Sequence, residues 1–145
     1  MSGLVLKRRI LGVDFGHARI GIAISDELGL LAHPLETVSA GPKAAKRIAE
    51  IARERNVERI VIGLPRHMNG SIGQAAEEVL MFAADLRKLV ECAVVTWDER
   101  LSTTAANRAL RESGQKMRGS RRIVDQIAAQ FILQGYLDGL PDASR

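Results

Sequence analysis

The feature that most constrains the fold is a pair of apolar runs near the start of the chain, within "ILGVDFGHARIGIAISD" (residues 10–26). Ile and Val favour strands, and the connection containing Gly16 is short, so residues 9–15 and 19–25 predict a β-hairpin. Asp14 stands at the end of the first strand. A buried carboxylate is costly unless a cation, a hydrogen-bond network or water compensates it. Asp14 is therefore a candidate functional residue.

The rest of the chain predicts alternating helices and strands. Apolar runs predict strands over residues 28–38, 59–63 and 93–97, and Pro34 favours an edge position for the first of them. Helical spacing predicts helices over residues 41–56, 71–91, 103–112 and 123–137. In the second helix, Ser71 and Gln74 have the spacing of a capping box. A hairpin followed by this alternation predicts an α/β fold, with a central mixed five-stranded sheet flanked by helices.

Size and composition restrict the classes of protein. A chain of 145 residues with 46% hydrophobic residues predicts a single domain over residues 1–145. The net charge of +4 favours a polyanion such as nucleic acid as partner. A lone cysteine, Cys92, excludes an intrachain disulfide and a CxxC metal cluster. The N-terminus lacks a signal-peptide pattern and no apolar run has membrane-spanning length, so we expect a cytoplasmic protein without membrane contact.

Further acids end another strand and begin the last helix. Asp98 and Glu99 end the strand in "VVTWDERLSTT", where they point to opposite faces, so we expect only one of them to enter a shared site. Asp125 lies on the apolar stripe of the last helix, although it could simply complement the helix dipole. Asp14 could likewise be an ordinary turn acid. Taken together, three such carboxylates predict a site for Mg²⁺ or Mn²⁺.

Basic side chains supply candidate phosphate contacts. The stretch "RESGQKMRGSRR" (residues 111–122) predicts a mobile basic loop, with a solvated surface as the alternative. The candidates outside the first hairpin are Arg66, Arg100, Lys116, Arg118, Arg121 and Arg122. Arg100 could instead pair with an acid of the site. Such contacts would give salt-dependent affinity with little sequence information.

Four motifs in order carry a family resemblance: "LGVDFGHARIGIAISD", "VIGLPRHMNGSIG", "DERLSTTAA" and "IVDQIAAQFILQGYLD". Together, over residues 9–138, they resemble the YqgF/RuvX family, which is described as pre-16S ribosomal RNA nucleases related to Holliday junction resolvases. The resemblance implies an RNase H-like fold. It also implies that Asp14, Glu99 and Asp125 are the catalytic, metal-binding acids, and so favours Glu99 over Asp98. Where the family commonly has Thr-Lys, this chain has His17-Ala18, and Arg19 or His17 could replace the missing lysine as a phosphate contact.

The resemblance implies a metal-dependent nuclease acting in 5′ maturation of pre-16S rRNA. One alternative is a Holliday junction resolvase, which would need two active sites and hence a homodimer. A second is a non-catalytic ribosome-assembly or nucleic-acid-binding factor, because a fold does not fix a function. A third alternative is half of a phosphate-binding ATPase, because the first strand and hairpin of this chain resemble the phosphate-binding loop of such proteins. They need two domains of this kind, however, and 145 residues supply only one.

Overall fold

A computed structural model describes residues 9–99 and 121–140, and every structural statement below concerns these two ranges. Five strands and three helices follow one another in these ranges. In chain order they are β1 (Ile10–Asp14), β2 (Arg19–Ser25), β3 (Ala32–Ser39), α1 (Ala44–Glu54), β4 (Arg59–Leu64), α2 (Gln74–Arg87), β5 (Ala93–Asp98) and α3 (Arg121–Asp138).

The five strands form one mixed sheet in the order β3-β2-β1-β4-β5. The strand β2 runs antiparallel to both of its neighbours, β1 and β3, whereas β1, β4 and β5 are parallel to one another. The predicted hairpin and the mixed five-stranded sheet are therefore confirmed. Pro34 lies in β3, an edge strand, as its missing N–H requires.

Each face of the sheet has its own apolar core. On one face α1 and α2 pack against Leu11, Val13 and the other inward residues of the strands, and Phe15 contacts Phe82 of α2 with ring centroids 4.9 Å apart. On the opposite face the buried residues come from the sheet and from α3; they are Ile10, Ala23, Ala32, Val61, Ala129, Ile132, Leu133 and Leu137. The helix α3 therefore covers its face of the sheet alone among the described helices.

Two local predictions are wrong. The helix α2 begins at Gln74 with Gly73 as N-cap, so Ser71 lies before the helix and α2 has no side-chain cap. Ser71 donates its hydroxyl to Asn69 Oδ1 at 2.7 Å within the preceding loop. The described part of α3 includes Arg121 and Arg122, so the end of the predicted basic loop is helical. The rest of that loop, residues 111–120, and the predicted helix over residues 103–112 lie outside the described ranges. No described helix has both the length and the apolar character needed to cross a membrane.

Candidate active site at the carboxyl edge of the sheet

The parallel strands bring two of the predicted acids to the same edge of the sheet. Because β1, β4 and β5 run in one direction, their carboxyl ends lie side by side. Asp14 is the last residue of β1, and Glu99 directly follows β5. Both acids are partly buried. The single strand β4 separates them.

Side-chain alternation places Asp14 on the face covered by α3. Gly12 lies on this face, because a β-carbon there would stand 2.6 Å from Leu133 Cβ and 3.0 Å from the carbonyl oxygen of Ala129. Residues two apart in a strand share a face, so Asp14 points to the same side as Gly12. Its cross-strand partner on β2 is Gly21.

Gly21 allows α3, the helix that carries the third acid, to pack closely on β2. A β-carbon at Gly21 would overlap the backbone carbonyl of Asp125, so the first turns of α3 lie directly on the β2 backbone. Asp14 and the peptide of Asp125 thus flank the same glycine. A glycine inside a strand commonly marks such a close approach. The sequence interpretation did not identify the role of Gly21, although a glycine inside a strand could have indicated this close approach.

A second glycine makes room for Glu99. At Gly63 of β4, a β-carbon would stand 2.9 Å from Glu99 Oε2 and 2.7 Å from Ile132 Cδ1. The Glu99 side chain therefore lies over Gly63, on the face that α3 covers. Asp98 pairs with Leu64, and strand alternation directs it toward the opposite face. The structure thus brings Glu99, rather than Asp98, to the side of Asp14 and Asp125.

The carboxylate of Asp125 is held by a cation. Arg19 Nε donates to Asp125 Oδ2 at 2.6 Å, and the two side chains are 31% and 21% exposed. Arg19, which was predicted to contact phosphate, has an acid of the site as a partner in this structure. Arg100, for which pairing with an acid was the alternative, lies outside the described residues.

The three carboxylates have the chemistry of a hard-cation site but not a closed geometry. Oxygen donors from two strand ends and one helix suit Mg²⁺ or Mn²⁺. Within residues 9–99 and 121–140, however, no group of three His, Cys, Asp or Glu side chains is arranged to hold a metal ion. The contact with Arg19 uses only one oxygen of Asp125, Oδ2. The three carboxylates therefore fit such an ion by the chemistry of their donor atoms.

The α3 end nearest the acids is fixed by a threonine of β3. Thr37 Oγ1 donates to the carbonyl oxygen of Arg122 at 2.6 Å and accepts from Gln126 Nε2 at 3.0 Å. Asp125 lies between these two anchored residues. Sequence interpretation gave no role to Thr37, because its partners are 85 and 89 positions away.

The other residues predicted to contact phosphate do not share one location in the described structure. Arg66 and Arg122 are exposed. Arg121 starts α3, and Lys116 and Arg118 lie outside the described residues. His17 is turned to α2, where its Nε2 lies 2.7 Å from Glu78 Oε1.

A comparison with protein families identifies the chain's relatives. The model of the RuvX family, described as "Holliday junction resolvase", matches residues 8–139. The chain belongs to the RuvX family. The resemblance drawn from the four motifs is thereby confirmed, and this RuvX chain matches the family over nearly its whole length.

Known relatives and structures agree with this membership. A Bacillus cereus protein named "Putative pre-16S rRNA nuclease" is 45% identical over 134 residues, covering 90% of this chain and 98% of that protein. The Thermus thermophilus RuvC structure aligns with a TM-score of 0.56 at 12% identity, covering 89% of this chain and 93% of that one. The fowlpox virus resolvase in complex with Holliday junction DNA aligns with a TM-score of 0.53 at 12% identity, covering 92% and 99%. The predicted RNase H-like fold is confirmed, and the prediction of a hydrolytic nuclease agrees with the family.

Proposed function

We propose that this RuvX chain is a divalent-metal-dependent nuclease that hydrolyses phosphodiester bonds in the 5′ maturation of pre-16S rRNA. The observation that carries the proposal is the placement of Asp14, Glu99 and Asp125. These acids come from three separate elements and lie on one face at one edge of the sheet. The relative named for pre-16S rRNA supports RNA as the substrate. Since the named relative is bacterial, we place the reaction in the cytoplasm, where bacterial ribosomes are made.

The acids would hold Mg²⁺ or Mn²⁺. Such an ion, when bound, lowers the pKa of a water molecule and stabilises the leaving oxygen. Asp14 is the best-fixed of the ligands, because β1 is the central strand of the sheet. Glu99 can lie over Gly63 because this residue has no side chain. Asp125 is positioned by the contact of α3 with Gly21. Because three carboxylates repel a phosphodiester, cleavage requires their charge to be neutralised.

Basic side chains would hold the substrate by its phosphates. The exposed Arg66 lies in the loop after β4, so it is close to the edge that carries the acids. Arg121 and Arg122 begin α3, one turn before Asp125. Together with Arg100, Lys116 and Arg118, they would bind the polyanion through contacts that weaken as salt is raised.

The proposal is tested with Asp14→Asn and a matched control, Asp85→Asn, on the exposed part of α2. Each folded protein is incubated with end-labelled precursor rRNA in Mg²⁺, Mn²⁺ or chelator. We expect wild type and Asp85→Asn to cleave, while Asp14→Asn or chelator lowers the rate by about a hundredfold or more. Equal cleavage by Asp14→Asn, or no effect of chelator, would contradict the acidic metal site. Binding without cleavage would favour the non-catalytic alternative.

Resolution of DNA junctions is the second candidate, favoured by the description of the matching family model. Symmetric cleavage of a four-way junction needs two active sites, so this function also proposes a homodimer. The same assay with a labelled four-way DNA junction separates the two functions by their relative rates. Light scattering of the protein with and without junction then measures the number of subunits. Faster junction cleavage by a dimer would favour resolution over RNA processing.

A further inference from the structure

We propose that the outward face of α2 is a surface on which a second copy of this chain docks, with the two α2 helices antiparallel across a two-fold axis. This inference goes beyond the proposed RNA processing, because it concerns how two copies associate. Junction resolution would need such a pair, since it requires two active sites.

The outward face of α2 carries apolar side chains where a solvated helix carries polar ones. Leu80 and Met81 are 40% and 70% exposed, and Ala84, one turn further on, is exposed as well. The neighbouring helix α1 lies on the same face of the sheet, and its exposed residues are Lys46, Arg53 and Glu54. Of these two helices, α2 is therefore the one that presents large apolar side chains to the outside.

The order of residues along this face is self-complementary. Successive spacings of four, three and four place Glu77, Met81, Ala84 and Lys88 in one stripe of the helix. Lys88, the C-cap residue, still has helical backbone angles, with φ −74° and ψ −17°. When two stripes run antiparallel about a two-fold axis at their centre, Met81 meets Ala84 of the other copy, and Glu77 meets Lys88 of the other copy. Each contact occurs twice, and each joins a large side chain to a small one or a carboxylate to an ammonium group.

The two charges of the stripe are available for such pairing. Among the described residues, neither Glu77 nor Lys88 makes an ion pair, and both side chains are exposed. A parallel arrangement would set like charges against each other, whereas the antiparallel arrangement gives two pairs of opposite charge. Charge complementarity therefore favours an antiparallel second copy as the occupant of this face.

The edge of β3 is a poorer surface for association. Gln130 Nε2 donates to the carbonyl oxygen of Ala32 at 2.9 Å, and the Ala32 N–H donates to Gln134 Oε1 at 2.9 Å. These backbone groups of an edge strand are thus already bonded to side chains of α3, and a strand of another chain cannot pair with them. The α2 face, in contrast, needs no unpaired backbone group to dock its partner.

The size of the face sets the expected strength of the dimer. A helix of 14 residues is about 21 Å long. Two such helices bury less surface than a standard stable interface, so the dimer should dissociate in the micromolar range. Its mass in solution should therefore depend on protein concentration.

The first test measures the mass by sedimentation over a wide range of protein concentration, at low salt. We expect wild type to pass from monomer to dimer as its concentration rises. Lys88→Glu should raise the dissociation constant by roughly tenfold or more, because two attractive contacts become repulsive. Lys46→Glu makes the same change of charge on the exposed part of α1, outside the stripe, and should associate like wild type.

The second test exchanges the two charges. Glu77→Lys alone should weaken association as Lys88→Glu does, whereas the double variant restores opposite charges between the copies and should recover the affinity of wild type. Residues 77 and 88 are about 16 Å apart along one helix, so such a recovery cannot come from a pair within one copy. Thermal unfolding checks that each variant is folded.

Wild type that stays monomeric at every concentration, or a double variant that associates no better than the single variants, would overturn the inference. The readouts are masses and do not use catalysis. A monomer that cleaves RNA would therefore refute only this inference, and a dimer that cleaves no nucleic acid would refute only the proposed function.

Discussion

The side chain of Glu99 occupies the space that a β-carbon of residue 63 would need, with Glu99 Oε2 2.9 Å from that position. A glycine in β4 thus determines where the carboxylate of a residue beyond β5 can lie. On the other side of β1, a β-carbon at Gly21 would overlap the backbone carbonyl of Asp125. The strands on either side of Asp14 therefore each carry one glycine; Gly63 leaves space for the Glu99 side chain, and Gly21 leaves space for the α3 backbone at Asp125.

Replacing Gly63 with Ala should impair catalysis more than folding. The atoms nearest to the new methyl group belong to the ends of the Ile132 and Glu99 side chains, which can move at a cost of about 1 kcal/mol. Moving Glu99 should lower kcat/KM by roughly tenfold or more. Thermal unfolding and cleavage kinetics measure the two effects. Gly139→Ala is the control, since its β-carbon would meet only ordinary contacts at 3.6 Å.

Replacing Gly21 with Ala should affect both stability and catalysis. The new methyl group would overlap the peptide of Asp125, so α3 must shift, at a cost of about 2 to 3 kcal/mol. Gly12→Ala is the matched variant, because it displaces α3 at Leu133 without touching an acid. Urea unfolding should show destabilisation of both variants. Under conditions where both are folded, only Gly21→Ala should lose cleavage, and equal loss would show that any shift of α3 is sufficient.

Replacing Glu99 should lower the cleavage rate more than replacing its neighbour Asp98. Glu99→Gln removes a charge from the face that carries Asp14, and we expect cleavage to fall by about a hundredfold or more. Asp98→Asn alters the opposite face and should retain most of the activity. Steady-state cleavage of the same labelled RNA compares them. A larger loss of cleavage in Asp98→Asn would indicate that Asp98, rather than Glu99, belongs to the active site.

Thr37 should stabilise the first turns of α3, which carry Asp125. Thr37→Val removes the hydroxyl that donates to the Arg122 carbonyl and accepts from Gln126, and we expect a loss of about 1 to 2 kcal/mol. Hydrogen exchange should quicken in the first turns of α3, while β1 and β4 keep their protection. Thr37→Ser retains the hydroxyl and serves as the control. Uniform loss of protection over the whole chain would mean that the contact has no local role.

The sheet could be predicted from the sequence because each strand is a local apolar run. The hairpin, the edge position of β3 and the stripe of α3 follow from composition and periodicity over short windows. Asp14 and Asp125 could likewise be selected as acids in apolar surroundings. Periodicity alone did not separate Asp98 from Glu99; the family resemblance made that choice.

The contacts that shape the site could not be predicted, because they join distant parts of the chain. Arg19 and Asp125 are 106 positions apart, and nothing in the spacing of either segment indicates that they meet. The predicted capping box at Ser71 is wrong for a local reason, since α2 begins only at Gln74 and its N-cap is Gly73. The roles of Gly21 and Gly63 depend on which residues lie above them, and only the packed structure gives these.

The order of the acids along the chain has a consequence for synthesis. Asp14 is made with the first strand and Glu99 after the fifth, whereas Asp125 lies on α3, downstream of the whole sheet. Proteins are made from the N-terminus, and their parts fold as they emerge. A growing chain can therefore form the complete sheet before it has all three acids. The proposed nuclease centre therefore needs synthesis to pass α3, and we expect an unfinished chain on the ribosome to be unable to cut RNA.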